Sequence, residues 1–195
     1  MPKRIVIIQG HPDPSPERFC RALERTYAEG ARAVAHEVRR IDVATLDFGL
    51  VRSQAEWQSS EPMADIKAAQ RDIAWAEHLV IVFPLWLGGM PGLLKGFLEQ
   101  VLRPGFAVSG EAGGSDWKQL LKGRSARIVV TMGMPAFVYR WYFGAHSLKS
   151  LERNILKFVG IRPIRETLIG MVAAQDGSAR AAWLKTMEAF GRQGS

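Results

Sequence analysis

One cysteine, Cys20, stands in 195 residues. That scarcity excludes an intramolecular disulfide, a Cys-x-x-Cys redox pair and a cysteine-based zinc site. Any redox chemistry must then come from a cofactor. Two nucleotide fingerprints are also missing, since no G-x-G-x-x-G follows a strand and no G-x-x-x-x-G-K-S/T occurs, so neither a dinucleotide Rossmann turn nor a P-loop is present. The longest uncharged run, residues 79–94, has 16 residues and is broken by Pro84, Gly88, Gly89 and Pro91, too short and too interrupted to span a bilayer. The opening "MPKRIVIIQGHPDP" has four consecutive apolar residues after its basic pair, which is no signal-peptide core. A soluble cytoplasmic protein without membrane insertion is expected. No run of basic residues alternates with aromatics, so the net charge of +7 reads as a basic surface rather than a nucleic-acid site.

What is present suits one α/β domain over residues 1–195, with 47% hydrophobic and 23% charged residues, enough for a full core. Short β-branched runs alternate with helical periods, the signature of βαβ units and a parallel sheet. The strands are expected at Lys3–Gln9, Val38–Val43, His78–Phe83, Ala126–Met132 and Glu166–Val172, and the helices at Glu17–Ala35, Met63–Ala76, Gly92–Leu102, Ser147–Val159 and Ser178–Gly191. Two stretches depart from this rhythm. Leu46–Glu61 is a polar connection, and Arg103–Lys122, with "GEAGGSDW", reads as a hairpin or lid.

Ligands of doubly wound sheets bind outside the carboxyl ends of the strands, where strand order reverses. The loops at issue are "GHPDPSPERF", "PLWLGGMPG" and "GMPAFVYRWYFGAH". In the first, a helix beginning near Glu17 offers unpaired N–H groups to an anion such as a phosphate, with His11 and Arg18 to assist; the plainer alternative is that Asp13 or Ser15 caps the helix and His11 bonds nearby backbone. In the second, Pro84 fixes the chain direction. Leu85, Trp86 and Leu87 present an apolar surface and three N–H groups, and the glycines allow close approach of a flat ring; the alternative is a core Trp86 and a simple turn into a helix with Pro91 at its first position. Tyr139 lies in "FVYRWYF", a run too aromatic for an ordinary loop, usable as core, pocket wall or subunit interface, the last being expected. His146 serves either in acid–base chemistry or as the residue opening a helix. His36 and His78 read as structural, because none of the four histidines has metal-ligand spacing.

"FPLWLGGMPGLLKGFLEQVLRPGFAV" resembles the PLWW…PA-x-LKGW…GFA segment of the flavodoxin-like NAD(P)H:quinone oxidoreductase family. "GHP…RFCRAL", "TMGMPAFVYRWYFGAH" and "FVGI" are similar to further family segments in the same order. The resemblance implies a flavodoxin-like five-stranded parallel sheet of order 2-1-3-4-5, a non-covalent flavin with FAD favoured over FMN, and two-electron transfer from NAD(P)H to a quinone or similar acceptor. It also implies a homodimer with the site at its interface. It assigns the flavin phosphates to His11, Arg18, Phe19 and Cys20. The ring falls to Pro84, Leu85, Trp86 and Leu87 on one side and to Thr131, Met132, Gly133 and Met134 on the other, with Tyr139 and His146 assisting hydride transfer. Arg18, Leu87, Met134 and Gly92 stand where the family usually has Ser or Thr, Trp, Gly and Ala. The alternative is a non-catalytic electron carrier or a regulatory subunit of an ion-efflux system.

Overall fold

The computed structural model describes residues 1–59, 61–110 and 116–195. Among the described residues seven strands form: β1 (Arg4–Gln9), β2 (Glu37–Asp42), β3 (His78–Pro84), β4 (Val108–Ser109), β5 (Lys118–Gln119), β6 (Ser125–Thr131) and β7 (Ile164–Ile169). Five of them pair in parallel in the order β2-β1-β3-β6-β7, and β4 pairs antiparallel with β5 as a separate hairpin. Without that hairpin, the order is the expected 2-1-3-4-5. Part of the expected "GEAGGSDW" hairpin or lid, residues 111–115, lies outside the described residues.

The helices are α1 (Phe19–Arg32), α2 (Gln54–Ser59), α3 (Ala64–Trp75), α4 (Gly92–Val101), α5 (Ala136–Trp141), α6 (His146–Ser150) and α7 (Gly177–Gln193). Both faces of the sheet are covered, which is why β1 and β3 carry unbroken apolar runs, Ile5–Ile8 and Leu79–Phe83, rather than alternating with polar residues. Ile5, Ile7, Val80, Val82 and Val129 face Leu23, Tyr27 and Met187 of α1 and α7. Val6, Ile8, Ile81, Phe83, Ile128 and Val130 face the α3, α4 and α6 side. The helices α1 and α7 meet backbone to backbone, since a Cβ on Gly30 would lie 2.3 Å from the Glu188 carbonyl oxygen and one on Gly191 2.1 Å from that of Tyr27.

Several local expectations are corrected. The first helix starts at Phe19 rather than near Glu17, because the chain from Asp13 to Arg18 is held in turns by its own hydrogen bonds. Pro91 is the N-cap of α4 and not its first helical residue. The expected helix Ser147–Val159 is α6 followed by a π-helical stretch, Leu151–Leu156. The last sheet strand starts two residues earlier than expected, just after Pro163. The polar connection contains α2, fastened to α4 through Trp57 Nε1, which donates to the Glu99 carbonyl at 3.2 Å. The aromatic run forms α5.

Candidate active site

Strand register brings the relevant loops level. Gln9 stands opposite Asp42 on β2 and Val82 on β3, so the crevice opens where β1 has neighbours reached by crossovers in opposite directions. Thr131, at the end of β6, joins the surrounding segments. Its carbonyl accepts the Leu85 N–H at 2.7 Å, and its hydroxyl lies 3.1 Å from the Cys20 sulfur at the start of α1.

The loop after β1 is fixed from within. The Gln9 amide accepts the His11 N–H at 3.1 Å and donates to the Cys20 carbonyl at 3.2 Å. His11 Nδ1 accepts the Asp13 N–H at 3.0 Å, so the neutral ring carries its proton on Nε2. Burial, opposed by Asp13 and aided by Arg18 and Arg21, lowers the His11 pKa. The Asp13 carboxylate accepts from Ser15 N–H at 2.8 Å and Arg18 Nε at 2.6 Å. It therefore closes the turn before α1 and does not cap the helix, and the N-cap Arg18 makes no side-chain cap. Neither Phe19 nor Cys20 finds a carbonyl or side-chain oxygen for its backbone N–H among the described residues. A 14-residue helix thus points a positive, unpaired N-terminus into the crevice. The Cys20 side chain turns the other way, into the core, where burial pushes its thiol up to about 11.

The loop after β3 is a tight reversal. Trp86 and Gly89 exchange N–H···O bonds of 2.9 Å in both directions, and Leu87 and Gly88 between them have φ of 48° and 76°, the type I′ turn that favours glycine or asparagine at both places. Of the three N–H groups expected to be available, those of Leu85 and Trp86 are consumed by Thr131 and Gly89, and only that of Leu87 remains without a described acceptor. Trp86 is half-exposed and stands edge-on to His11, with centroids 5.9 Å apart. Leu87 projects fully into solvent.

The loop after β6 is held by the chain leaving β7. The Met132 and Met134 carbonyls accept the N–H groups of Val172 and Met171 at 3.1 Å each. The Met132 side chain is buried, whereas Gly133 borders open space on its Cβ side. Tyr139 does not reach the open crevice. Its side chain is in the core, with the hydroxyl accepting the Leu148 N–H at 3.3 Å, and burial raises its pKa. His146 opens α6 and is exposed, its ring lying over Gly144, where a Cβ would be 2.8 Å from Nε2.

Four contributors were not singled out from sequence. Arg21 donates twice to the Asp13 carbonyl, at 3.1 and 3.0 Å, and twice to Asp42, at 2.6 and 3.2 Å, clamping the first loop to the end of β2. Ser147 Oγ lies 3.5 Å from the Cβ position of Gly89, and Leu94 packs against Gly10. Only Arg21 and Asp42 left a trace in the sequence: opposite charges near the start of the first helix and the end of the second strand.

The residues at this edge suit a ligand with an anionic end and a flat ring. They offer an anion-receptive helix start, the indole of Trp86, the N–H groups of Leu87 and Gly133 with no acceptor among the described residues, and open space beside Gly133. A Haemophilus influenzae protein named uncharacterized NAD(P)H oxidoreductase is 29% identical over 184 residues, covering 92% of this chain and 90% of its own. Human ribosyldihydronicotinamide dehydrogenase (quinone) is 30% identical over 157 residues, with 70% of this chain and 65% of that protein covered. The chain therefore spans a little under two thirds of that longer relative. Among solved structures, an NAD(P)H:quinone oxidoreductase from Methanothermobacter marburgensis shares the fold with a TM-score of 0.82 over all of both chains at 22% identity. An FMN-dependent NADH-azoreductase from Bacillus anthracis, in complex with FMN, shares it at 0.76 over 99% of both chains at 18% identity. A family model described as flavodoxin-like fold matches residues 3–190, and the chain belongs to that family, among relatives named as NAD(P)H and quinone oxidoreductases.

Proposed function

We propose that the protein is a flavin-dependent NAD(P)H oxidoreductase, cytoplasmic and homodimeric, that reduces a quinone or a similar acceptor. The observation that carries this reading is the convergence, at the sheet's switch point, of an unpaired helix N-terminus with a half-exposed tryptophan wall. Neither feature serves the packing of the chain.

His11 Nε2–H, the Arg18 guanidinium and the N–H groups of Phe19 and Cys20 hold the flavin phosphate end; Cys20 contributes through backbone only, its thiol being buried. Pro84, Leu85, Trp86 and Leu87 border one side of the ring, and Thr131, Met132, Gly133 and Met134 the other. When bound, the flavin supplies hydride acceptance and donation at N5. NAD(P)H leaves as NAD(P)⁺, and the acceptor takes up the hydride and one proton to leave as the hydroquinone. The protein's part is to stack donor and acceptor in turn in the crevice and to direct N–H groups at the ring edge, where negative charge develops. His146, which the resemblance assigns to hydride transfer, would hold a proton at the mouth. Tyr139 acts through position, fixing the start of α6 and with it His146.

The dimer is supported by an apolar groove of about 570 Å³ along α4, lined by Trp57, Leu98, Leu102, Ile155 and Phe158. Because α4 starts at the loop that carries Trp86, a second copy seated there borders the site.

The test is to release the cofactor of the purified protein by denaturation, identify it chromatographically as FAD or FMN, and follow NADH and NADPH oxidation with a simple quinone. Turnover by a yellow protein is expected. A yellow protein that never turns over contradicts the enzyme reading in favour of a carrier or ancillary subunit, and a colourless one that takes up no flavin contradicts both.

A further inference from the structure

Arg21 stands where the helix field disfavours it. It lies in the first turn of α1, and a cation there meets the positive end of the helix dipole. Its side chain is only 7% exposed, and a guanidinium out of water needs its charge matched and its N–H groups bonded. The fold meets both needs. Nη1 and Nη2 fork onto the Asp42 carboxylate at 2.6 and 3.2 Å, and Nε and Nη2 donate to the Asp13 carbonyl at 3.1 and 3.0 Å. Each nitrogen of the guanidinium is engaged within the protein, so Arg21 is not itself a ligand for an anion in the crevice.

Its contact with Asp13 has the wider effect, because both cationic side chains of the first loop depend on that residue. The Asp13 N–H donates to His11 Nδ1 at 3.0 Å, which leaves the neutral ring's proton on Nε2, and the Asp13 carboxylate accepts from Arg18 Nε at 2.6 Å. The remaining Asp13 bond, from the Ser15 N–H at 2.8 Å, stays within the loop. Arg21 therefore joins this hub to α1 and, through Asp42, to the end of β2, where Arg40 Nη2 holds Asp42 from the other side at 3.1 Å. We propose that Arg21 is a positioning residue for the anionic end of the ligand. By pinning the Asp13 carbonyl it sets the His11 tautomer and the Arg18 guanidinium in place without touching the ligand. The proposal rests on the flavin reading for the identity of that anion, a phosphate. Asp42 matches the charge of Arg21, so the effect on the ligand is one of geometry: a planar fork that spans a carbonyl and a carboxylate is available to arginine and not to lysine.

The experiment titrates the flavin-free wild type, Arg21→Lys and Asp42→Asn with FMN and with riboflavin, which share the ring and differ by the phosphate. Arg21→Lys keeps the charge and loses the fork. Asp42→Asn leaves Arg21 in place, loosens its anchor and makes the surroundings more positive. FMN affinity should fall about tenfold in Arg21→Lys, the weight of one charge-assisted hydrogen bond, and about threefold in Asp42→Asn. Riboflavin affinity should be unchanged in both. Imidazole nitrogen NMR of the flavin-free proteins reads the positioning itself: His11 should show the Nε2–H tautomer in the wild type and a mixture of tautomers in Arg21→Lys. Equal losses for FMN and riboflavin that track a lowered thermal midpoint overturn the proposal, leaving Arg21 as a tie between α1 and β2. FMN affinity that Arg21→Lys retains, or that Asp42→Asn raises, overturns it too, since that is the pattern of charge acting through space. A wild type that binds neither flavin contradicts the flavin reading instead, and the His11 tautomer in Arg21→Lys then decides the positioning role by itself: unchanged, it overturns that role, and mixed, it supports it.

Discussion

Single side chains separate ligand binding from packing. Trp86 is half-exposed and touches His11 edge-on, so Trp86→Ala removes a ring wall without opening the core. Flavin affinity should fall by about 2 kcal/mol, roughly 30-fold, with unfolding free energy changed by less than about 0.5 kcal/mol. Fluorescence titration beside chemical denaturation checks this; lost stability with unchanged affinity would make Trp86 a packing residue. His78 is a packing residue by the same standard. It is buried, its Nδ1 lies 2.7 Å from Ser125 Oγ, and burial together with Lys3, Arg127, Arg165 and His36 pushes its pKa down from 6.5 to about 3. The unfolded chain therefore binds a proton that the folded chain refuses. The resulting loss is absent above pH 6.5 and grows as pH falls toward 3, amounting to about 2 kcal/mol at pH 5. Denaturation of the wild type and His78→Phe at pH 7.5 and 5 should show a smaller acid loss in the variant; equal losses would remove His78 as the cause.

At the scale of elements, the Trp86–Gly89 turn and the α1–α7 contact make opposite demands. Leu87 has φ of 48° with its side chain in solvent, a conformation that costs a branched residue about 1–2 kcal/mol. Leu87→Asn should raise the urea midpoint, corresponding to about 1 kcal/mol, because asparagine tolerates this backbone; an unchanged midpoint would mean the turn relaxes around leucine. At Gly191 the constraint is space, the Tyr27 carbonyl standing where a methyl group would go. Gly191→Ala should destabilise by about 3 kcal/mol, read from the same denaturation curves, and wild-type stability would show that α7 shifts freely on α1. The long elements were legible in the sequence because strands buried on both faces read as unbroken apolar runs, and α1, α3, α4 and α7 kept their period. Short α2 and α5 were not. Six residues give too few turns for a period to appear, and α5 exposes aromatic residues where an ordinary helix carries polar ones.

For the whole molecule, the doubly wound parallel sheet and the three loops at its switch point followed from the alternation of strands and helices, and the strand order from the family resemblance. The chemistry inside those loops followed less completely. Consumption of the Leu85 and Trp86 N–H groups, the burial of Tyr139 and the clamp from Arg21 to Asp42 are all made by contacts between segments distant in sequence, which periodicity does not encode. The pieces nonetheless support the proposed function: a flavodoxin-like sheet whose crevice would hold a flavin between a helix N-terminus and a tryptophan wall and pass a hydride through it. Anaerobic spectroscopy of the purified, flavin-loaded protein tests that account most directly. Addition of NADH or NADPH should bleach the oxidised-flavin absorbance, and a quinone should restore it in equal measure; a flavin spectrum that neither nicotinamide changes would contradict it.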